Sequence, residues 1–392
     1  MITIDTIKFF IILMNNLKLH YDDISIVPEI ITDIDSRQEC DPFIDGMLPI
    51  FASPMGSVLD ESNWRFFVDH YINVVIPRTI NLHKRLYILY ETSEVASKNK
   101  PFVSFSLNEA KDFILYGDSL DMVKYKDEEN AKYKICIDLA NGHMRSLLEV
   151  IKGIKEKYGT KVEIMSGNIA NPKSYKLYND AGCDYVRTSI GTGSACLTAS
   201  NTGIYYPPFS LLKEIDEIRK QCDGKCKVIA DGGIKGFRDI QKALIYADYV
   251  MIGGLFNKCI ESSGITTYGK SWIKIGKFKI RNYIVDFFRV GKQINRDKYS
   301  DIMRRVKSGL LEVNKMFYGM STKYAQVETH SNEKLKTSEG IIKTQKVEYS
   351  LNQWVENEIS YLRSAMSYTN SKTLSDYKES QWVRINGITH NK

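Results

Sequence analysis

Short apolar runs recur along the chain and alternate with amphipathic or polar stretches. Apolar runs of three to five residues with many β-branched and aromatic side chains predict buried strands, and helical periodicity between them predicts crossover helices joining parallel strands. One such helix is predicted over 146–158, where apolar residues recur at helical spacing. The predicted strands are 48–52, 74–76, 102–105, 135–137, 163–165, 185–188, 228–230 and 249–252.

Polar residues or glycines directly follow several of these runs. Asp138, Ser189 and Gly253 each come immediately after the last residue of a predicted strand. In a barrel of parallel strands this position is the C-terminal mouth, where ligands bind. A doubly wound sheet also binds ligands at the carboxyl ends of its strands. The pattern therefore predicts the α/β class and favours a (β/α)8 TIM barrel, with a doubly wound sheet as the alternative.

The composition is that of a globular, soluble protein, with 43% apolar and 26% charged residues. The net charge of +7 suits an anionic ligand and does not by itself indicate nucleic acid binding. Seven cysteines form no evident disulfide framework, which predicts a reducing, cytoplasmic location. Cys222 and Cys226 have no matching Cys/His pair nearby, so we interpret them as ordinary thiols and not as zinc ligands.

Residues 1–16 form a predicted N-terminal extension ahead of a single catalytic domain, 17–392. The apolar run at 7–14 within the extension is too short to cross a bilayer, and no small-residue cleavage site follows it. We therefore expect no membrane association.

Two segments of the domain break the alternation. Residues 264–315 form a basic insertion with thirteen Lys or Arg against four Asp or Glu. Its aromatic side chains favour a packed excursion with a basic outer face, and binding of an acidic partner or nucleic acid is the alternative. Residues 326–345, inside a predicted flap at 321–345, are polar and poor in large apolar side chains, which predicts a mobile loop. The aromatic residues of the insertion are Trp272, Phe278, Tyr283, Phe287 and Phe288.

The segment 191–198, Gly-Thr-Gly-Ser-Ala-Cys-Leu-Thr, carries the strongest chemical signal. Its glycines permit tight turns whose amides and carbonyls can face a phosphate or a cation. Cys196 ends this loop instead of lying inside an apolar run, which is the position of an exposed, reactive thiol. A small, buried structural thiol is the alternative. Thr198, two residues later, is placed to orient a water molecule or a leaving amine.

Two paired glycines follow the last two predicted strands. Asp231 precedes Gly232 and Gly233, and Gly253 and Gly254 follow the final strand. A carboxylate at a strand end can accept hydrogen bonds from a ribose diol, and the ends of the last two strands are the usual phosphate site of a (β/α)8 barrel. These segments predict a nucleotide site.

The order of these motifs resembles that of the IMP dehydrogenase/GMP reductase family. The resemblance runs from about residue 17 to 386 and is interrupted by the basic insertion. It implies a (β/α)8 barrel that binds a purine nucleotide (GMP or IMP) and a nicotinamide cofactor and forms a covalent bond between Cys196 and the purine. Further matching segments are 21–24, 27–28, 53–55, 138–143, 167–168, 318–321, 338–340 and 362–364.

Within this family the chain looks more similar to the GMP reductases. The dehydrogenases usually carry regulatory CBS modules after the second strand, but here only about 25 residues separate 74–76 from 102–105. The dehydrogenase flap also has an Arg-Tyr pair that activates water, and no Arg lies between Met320 and Glu339. The resemblance thus implies NADPH-dependent reductive deamination of GMP to IMP and ammonia.

The resemblance also implies roles for individual side chains. Cys196 would attack C2 of the guanine ring, while Thr198 and Glu339 would protonate and escort the departing amine. Asp231 would hold the ribose, and Met55 would contact the base.

Four further groups of residues are implied. The phosphate would be bound by Ser194, Gly232, Gly233, Gly253 and Gly254. The nucleotide site would be closed by Tyr318, Gly319, Met320 and Ser321. The cofactor would be approached by Asp138, Gly142 and Ser338. A monovalent cation, K⁺, would be held by the carbonyl groups of Gly191, Gly193 and Cys196.

Three segments depart from the family pattern. The residues at 56–58 are Gly-Ser-Val instead of Asp-Thr-Val, those at 203–208 lack the usual Pro-Gln, and Lys336 replaces an Arg before the flap's Ser-Glu-Gly. They leave the exact base and the NADPH preference open. The alternatives are an IMP dehydrogenase without CBS modules and a catalytically silent purine-nucleotide-binding protein. Family members usually form tetramers, so we expect a homo-tetramer.

Overall fold

The computed structural model describes residues 17–93, 99–116, 132–275, 278–281, 299–329 and 337–385, with side chains described except at 93, 116 and 269–281. The predicted extension 1–16 lies outside the described residues, as do the side chains of the five aromatic residues of the insertion. None of the described helices is long and apolar enough to cross a bilayer.

The described strands are β1 Ile24–Ile26, β2 Ile50–Ala52, β3 Asn73–Ile76, β4 Phe102–Phe105, β5 Tyr133–Asp138, β6 Val162–Ile169, β7 Tyr185–Thr188, β8 Lys227–Asp231, β9 Tyr249–Ile252, β10 Thr266–Ile275, β11 Phe278–Arg281, β12 Leu311–Tyr318, β13 Ile342–Lys346 and β14 Trp382–Arg384. The described α-helices are α1 Trp64–Asp69, α2 Leu82–Ser93, α3 Leu107–Tyr116, α4 Arg145–Tyr158, α5 Ser174–Asp180, α6 Thr198–Thr202, α7 Pro208–Gln221, α8 Phe237–Leu244, α9 Gly254–Asn257, α10 Tyr299–Lys307, α11 Lys323–Thr329, α12 Leu351–Tyr368 and α13 Leu374–Tyr377. Short 3₁₀ helices lie at Tyr21–Asp23, Arg37–Glu39 and Gly159–Lys161.

Strands β2 to β9 form a closed parallel barrel in chain order. Closure is made by β2 and β9, where Phe51 pairs with Met251. All eight predicted strands are confirmed, and α4 confirms the helix predicted over 146–158. The pairing of first and last strands excludes the doubly wound sheet, whose edges stay open. The (β/α)8 TIM barrel predicted from the sequence is therefore confirmed.

The barrel interior is filled by side chains and is not a channel. The rings of Phe51, Phe102, Tyr185 and Tyr249 are buried together inside it, with ring centroids 5.1–6.4 Å apart. Their edge-to-face and tilted contacts are the favoured arrangements of aromatic pairs. Because the interior is packed, it leaves no room for a ligand inside the barrel, and the predicted site residues follow the carboxyl ends of the strands.

A second sheet is built from the basic insertion and the chain that follows it. Its strand order is β11-β10-β12-β13, and its described pairs are antiparallel. The loop predicted over 326–345 is wrong at both ends, because α11 continues to Thr329 and β13 begins at Ile342. The alternating exposure of β13 explains the error. Three of its five side chains face solvent, so the strand is as polar as a loop.

Candidate active site

A cavity of about 610 Å³ opens at the carboxyl ends of the barrel strands. It gathers the strand ends that the sequence singled out, together with the cysteine loop and the segment after β12. The predicted site residues that line it are Met55, Asp138, Gly191, Gly193, Ser194, Cys196, Thr198, Asp231, Gly232, Gly233, Gly253, Gly254, Gly319, Met320 and Ser321.

The cysteine loop is a tight turn between β7 and α6. Gly191 has φ +75°, a conformation that favours glycine, and a Cβ there would lie 2.6 Å from Cβ of Ala199. The amide of Cys196 donates to the carbonyl of Gly193 at 2.9 Å, which closes the turn. Cys196 is consequently half-buried and faces the cavity.

The Cys196 thiol belongs to a hydrogen-bonded series that ends on a carboxylate. Its Sγ donates to Oγ1 of Thr198 at 3.3 Å, and that hydroxyl donates to Oε2 of Glu339 at 2.7 Å. The structure thus joins the three residues for which the sequence predicted catalytic roles. The series can carry a proton between the sulfur and the carboxylate.

Backbone pairing places Glu339 beside the cysteine loop. Its carbonyl accepts the amide hydrogen of Leu197 at 2.7 Å, and Ile341 donates its amide hydrogen to Ala195 at 3.0 Å. Cys196 and Gly340 form an antiparallel bridge. This pairing holds the returning end of the predicted flap against the loop that carries the thiol.

Arg187 lies between two carboxylates at the strand ends. Its Nη1 donates to Oδ1 of Asp138 at 2.6 Å, and its Nε and Nη2 donate to Oδ2 of Asp231 at 3.0 and 2.8 Å. Asn168 Nδ2 donates to the same Oδ2 at 2.8 Å. No hydrogen bond from the described residues reaches Oδ1 of Asp231, so this oxygen remains for a ligand.

The charged groups of this network shift the pKa values of Asp138 and Arg187. Burial disfavours a charge on Asp138, yet the guanidinium groups of Arg187 and Arg78 outweigh it and hold the pKa of this carboxyl below its ordinary value. Burial likewise disfavours the charge on Arg187, but Asp231 and Asp138 raise its pKa well above the ordinary value. Asp138 and Arg187 are therefore both charged at neutral pH.

Sequence reasoning missed Arg187 and Arg78. Arg187 is a charged residue within a strand that was predicted to be buried, and this signal could have found it, because a buried charge requires a partner. Arg78 follows β3 closely, and its Nε lies 3.5 Å from Oδ2 of Asp138. Lys258, Phe317 and Gln345 also line the cavity without having been predicted.

The predicted phosphate residues surround one end of the cavity. Gly232 has φ +95°, and a Cβ there would clash with Oγ1 of Thr192, so the backbone itself borders the site. A Cβ on Gly254 would lie 3.4 Å from Oγ of Ser194, which places these two residues next to each other. Met55 packs on Gly253, since a Cβ there would lie 2.7 Å from its Sδ.

Four predicted site residues do not line the cavity: Tyr318, Gly142, Ser338 and Glu339, the last of which reaches the site through the hydroxyl of Thr198. The hydroxyl of Tyr318 donates to Oε2 of Glu328 at 3.0 Å. Gly142 donates its amide hydrogen to Asn168 at 2.9 Å and supports that loop. Ser338 donates to the carbonyl of Gly340 at 2.8 Å.

Comparison with known proteins finds IMP dehydrogenases and GMP reductases. The family model of the IMP dehydrogenase / GMP reductase domain matches residues 121–277. A GMP reductase of Caenorhabditis elegans is 30% identical over 261 residues, which are 65% of this chain and 60% of that protein. A GMP reductase of Clostridium acetobutylicum is 30% identical over 254 residues, 63% of this chain and 72% of that protein. An inosine-5'-monophosphate dehydrogenase of Chlorobaculum tepidum is 30% identical over 257 residues, 64% of this chain and 45% of that protein. The chain thus spans less than two thirds of the nematode and Chlorobaculum relatives.

Proposed function

The chain belongs to the IMP dehydrogenase/GMP reductase family, and from this premise we propose that it is a GMP reductase-like enzyme. The proposed reaction is the NADPH-dependent reductive deamination of GMP to IMP and ammonia. The observation that carries this proposal is the series from the thiol of Cys196 through Thr198 to the carboxylate of Glu339.

The series explains how a thiol could attack a purine. As the sulfur of Cys196 bonds to C2 of guanine, its proton passes to Thr198, whose own proton moves to Glu339. The protonated Glu339 then returns a proton through Thr198 to the amino group, which leaves C2 as ammonia when the carbon–nitrogen bond breaks. The purine remains bound to sulfur until a hydride reaches C2 and the carbon–sulfur bond breaks with its electron pair on sulfur. The resulting thiolate takes up a proton from solvent, which restores the thiol.

The rest of the cavity would bind and orient the nucleotide. Oδ1 of Asp231 is available for the ribose hydroxyls because Arg187 and Asn168 occupy Oδ2. The glycines after β8 and β9 and Ser194 would bind the phosphate. Met55 would pack against the base, and the segment Gly319, Met320 and Ser321 would cover it.

The wall after β5 fits a nicotinamide cofactor. Leu139 and Ala140 give this wall apolar surface for a flat ring, and Asp138 is held as a charged acceptor by Arg187. When bound, the dihydronicotinamide supplies the hydride that replaces the amino group. Gly142 would act by supporting the loop at Asn168, and Ser338 by shaping the turn at Gly340.

A monovalent cation, K⁺, remains part of the proposal at the carbonyls of Gly191, Gly193 and Cys196. Gly193 already accepts the amide hydrogen of Cys196 at 2.9 Å, and its carbonyl keeps a second lone pair for a ligand. We also propose a cytoplasmic homo-tetramer. The family's usual assembly supports the tetramer, and the seven free thiols support a reducing compartment.

The test is to incubate the purified protein with GMP and NADPH and to follow the absorbance of the reduced nicotinamide. GMP-dependent oxidation of NADPH with IMP as product would support the proposal. Reduction of NAD⁺ with IMP would instead identify an IMP dehydrogenase, a second candidate favoured by the similarity to the Chlorobaculum protein. Nucleotide binding without either reaction would identify a binding protein.

A further inference from the structure

The phosphate end of the cavity contains two polar side chains that the proposed reaction does not use. Lys258 and Gln345 both line the cavity together with Gly254 and Ser194. Lys258 follows α9, four residues after Gly254, and residues at this spacing lie on the same side of a helix. Lys258 is thus on the side of α9 where the phosphate would bind.

An ion pair with Glu348 holds the Lys258 side chain near this position, and a phosphate group could replace the carboxylate in this pair. Its Nζ lies 2.9 Å from Oε1 of Glu348, and the two side chains are 30% and 49% exposed. The backbone around it is fixed, since Glu348 donates its amide hydrogen to the carbonyl of Lys258 at 3.0 Å and Tyr349 Oη donates to Leu255 at 2.9 Å. A partly exposed pair of this kind contributes little stability, whereas an ammonium group binds a phosphate dianion strongly.

Gln345 reaches the same place from β13. Its neighbour Lys343, two positions earlier on the same face of the strand, donates to the carbonyl of Ser194. A Cβ on Gly254 would lie 3.8 Å from Nε2 of Gln345. The Oε1 atom is buried and has no hydrogen-bond partner among the described residues. Because a side-chain amide can rotate to exchange its two ends, the unsatisfied position can present a donor to a ligand.

We propose that Lys258 and Gln345 bind the phosphate monoester of the nucleotide and make the site selective for nucleoside monophosphates over nucleosides. This inference rests on the proposed function, since it concerns the same nucleotide. The sheet β10–β13 positions Gln345 for this role. The pairing of Gln345 with Lys315 on β12 sets the register that places the side-chain amide at Gly254.

The experiment measures dissociation constants of GMP, IMP and guanosine for the purified full chain by titration calorimetry. Lys258→Met should raise the dissociation constants of GMP and IMP about tenfold, because a charge-assisted hydrogen bond is lost. The dissociation constant of guanosine should not change. Gln345→Glu, which keeps the shape but adds a negative charge beside the phosphate, should weaken them at least as much. Glu348→Gln should tighten them, because Lys258 then has no competing carboxylate.

Lys346→Met is the matched control. Lys346 lies on the opposite face of β13 with its Nζ 3.7 Å from Glu312, so its loss should change no dissociation constant. The inference is overturned if Lys258→Met and Gln345→Glu bind GMP with the dissociation constant of the wild type. It is also overturned if these variants lose as much affinity for guanosine as for GMP. If the wild type binds neither GMP nor IMP, the proposed function fails as well, and the wild-type titration alone separates this result from the others.

Discussion

The hydroxyl of Thr198 donates a hydrogen bond of 2.7 Å to Glu339, a residue 141 positions away along the chain. This bond connects the cysteine loop of the barrel to the end of the flap. In the proposed mechanism this bond gives the flap a direct role, because the carboxylate of Glu339 exchanges protons with the thiol through Thr198.

Removal of the thiol should abolish turnover and preserve nucleotide binding. Cys196→Ala removes the nucleophile, and we expect at least a thousandfold loss of NADPH oxidation, roughly the effect of deleting a nucleophile elsewhere. Calorimetry should still detect GMP. The control is Cys222→Ala. It removes a half-buried thiol that does not line the cavity and that donates, among the described residues, to the carbonyl of Arg219. Equal turnover in the Cys196 variant would rule out the covalent mechanism.

Breaking the series at either hydroxyl or carboxylate should slow catalysis. Thr198→Val and Glu339→Gln each remove a proton carrier, and we expect kcat to fall about 10²- to 10⁴-fold with a small change in KM for GMP. Steady-state kinetics over a range of pH would measure this effect. Glu328→Gln is the matched control, since Glu328 also accepts from a hydroxyl near the flap, that of Tyr318, but not beside the thiol. A similar fall in the control would show that the effect comes from flap stability.

Loss of Arg187 should destabilise the fold in a pH-dependent manner. Arg187→Met removes the cation that lies between Asp138 and Asp231 and leaves Asp138 with Arg78 alone, which should cost about 3–5 kcal/mol of unfolding free energy at neutral pH. Arg187 holds the pKa of Asp138 below its usual 3.8, so the stability from this pair is present above pH 3.8 and is lost as the pH falls through the lowered value. Urea unfolding should therefore show that the difference in unfolding free energy between variant and wild type becomes smaller as the pH falls. A gap that is constant with pH would contradict the ion-pair explanation.

Glu358 should make the protein less stable as the pH rises. Burial raises the pKa of this carboxyl, on α12, to about 8, and its Oε2 has no hydrogen-bond partner among the described residues. The folded state then keeps a proton that the unfolded state loses above pH 4.5, so stability falls between that pH and about pH 8. Glu358→Gln should be more stable than the wild type at pH 8 by about 1–3 kcal/mol, and nearly equal near pH 4.5. Thermal unfolding at several pH values tests this, and an advantage that does not grow with pH would refute it.

The sequence by itself determined the barrel and most of the site. Apolar runs of β-branched and aromatic residues predict buried strands because burial on both faces requires them. Eight such runs favoured the (β/α)8 architecture, and the pairing of β2 with β9 then excluded the doubly wound sheet. Glycines and polar residues directly after strands predicted the mouth, because parallel strands bring their carboxyl ends together. Cys196 and Asp231 could be recognised in this way without coordinates.

Tertiary structure alone decided which of these residues act together. Arg187 lies 49 residues from Asp138 and 44 from Asp231, and these side chains meet only because β5, β7 and β8 are tilted into one barrel. The segment 326–345 was predicted to be a loop because the edge strand β13, whose side chains alternate in exposure, is as polar as a loop. The hydroxyl of Tyr318 turns to Glu328, away from the cavity, and no local pattern records this. Contacts between distant residues depend on chain closure, whereas hydrophobic periodicity reports only on neighbours along the chain.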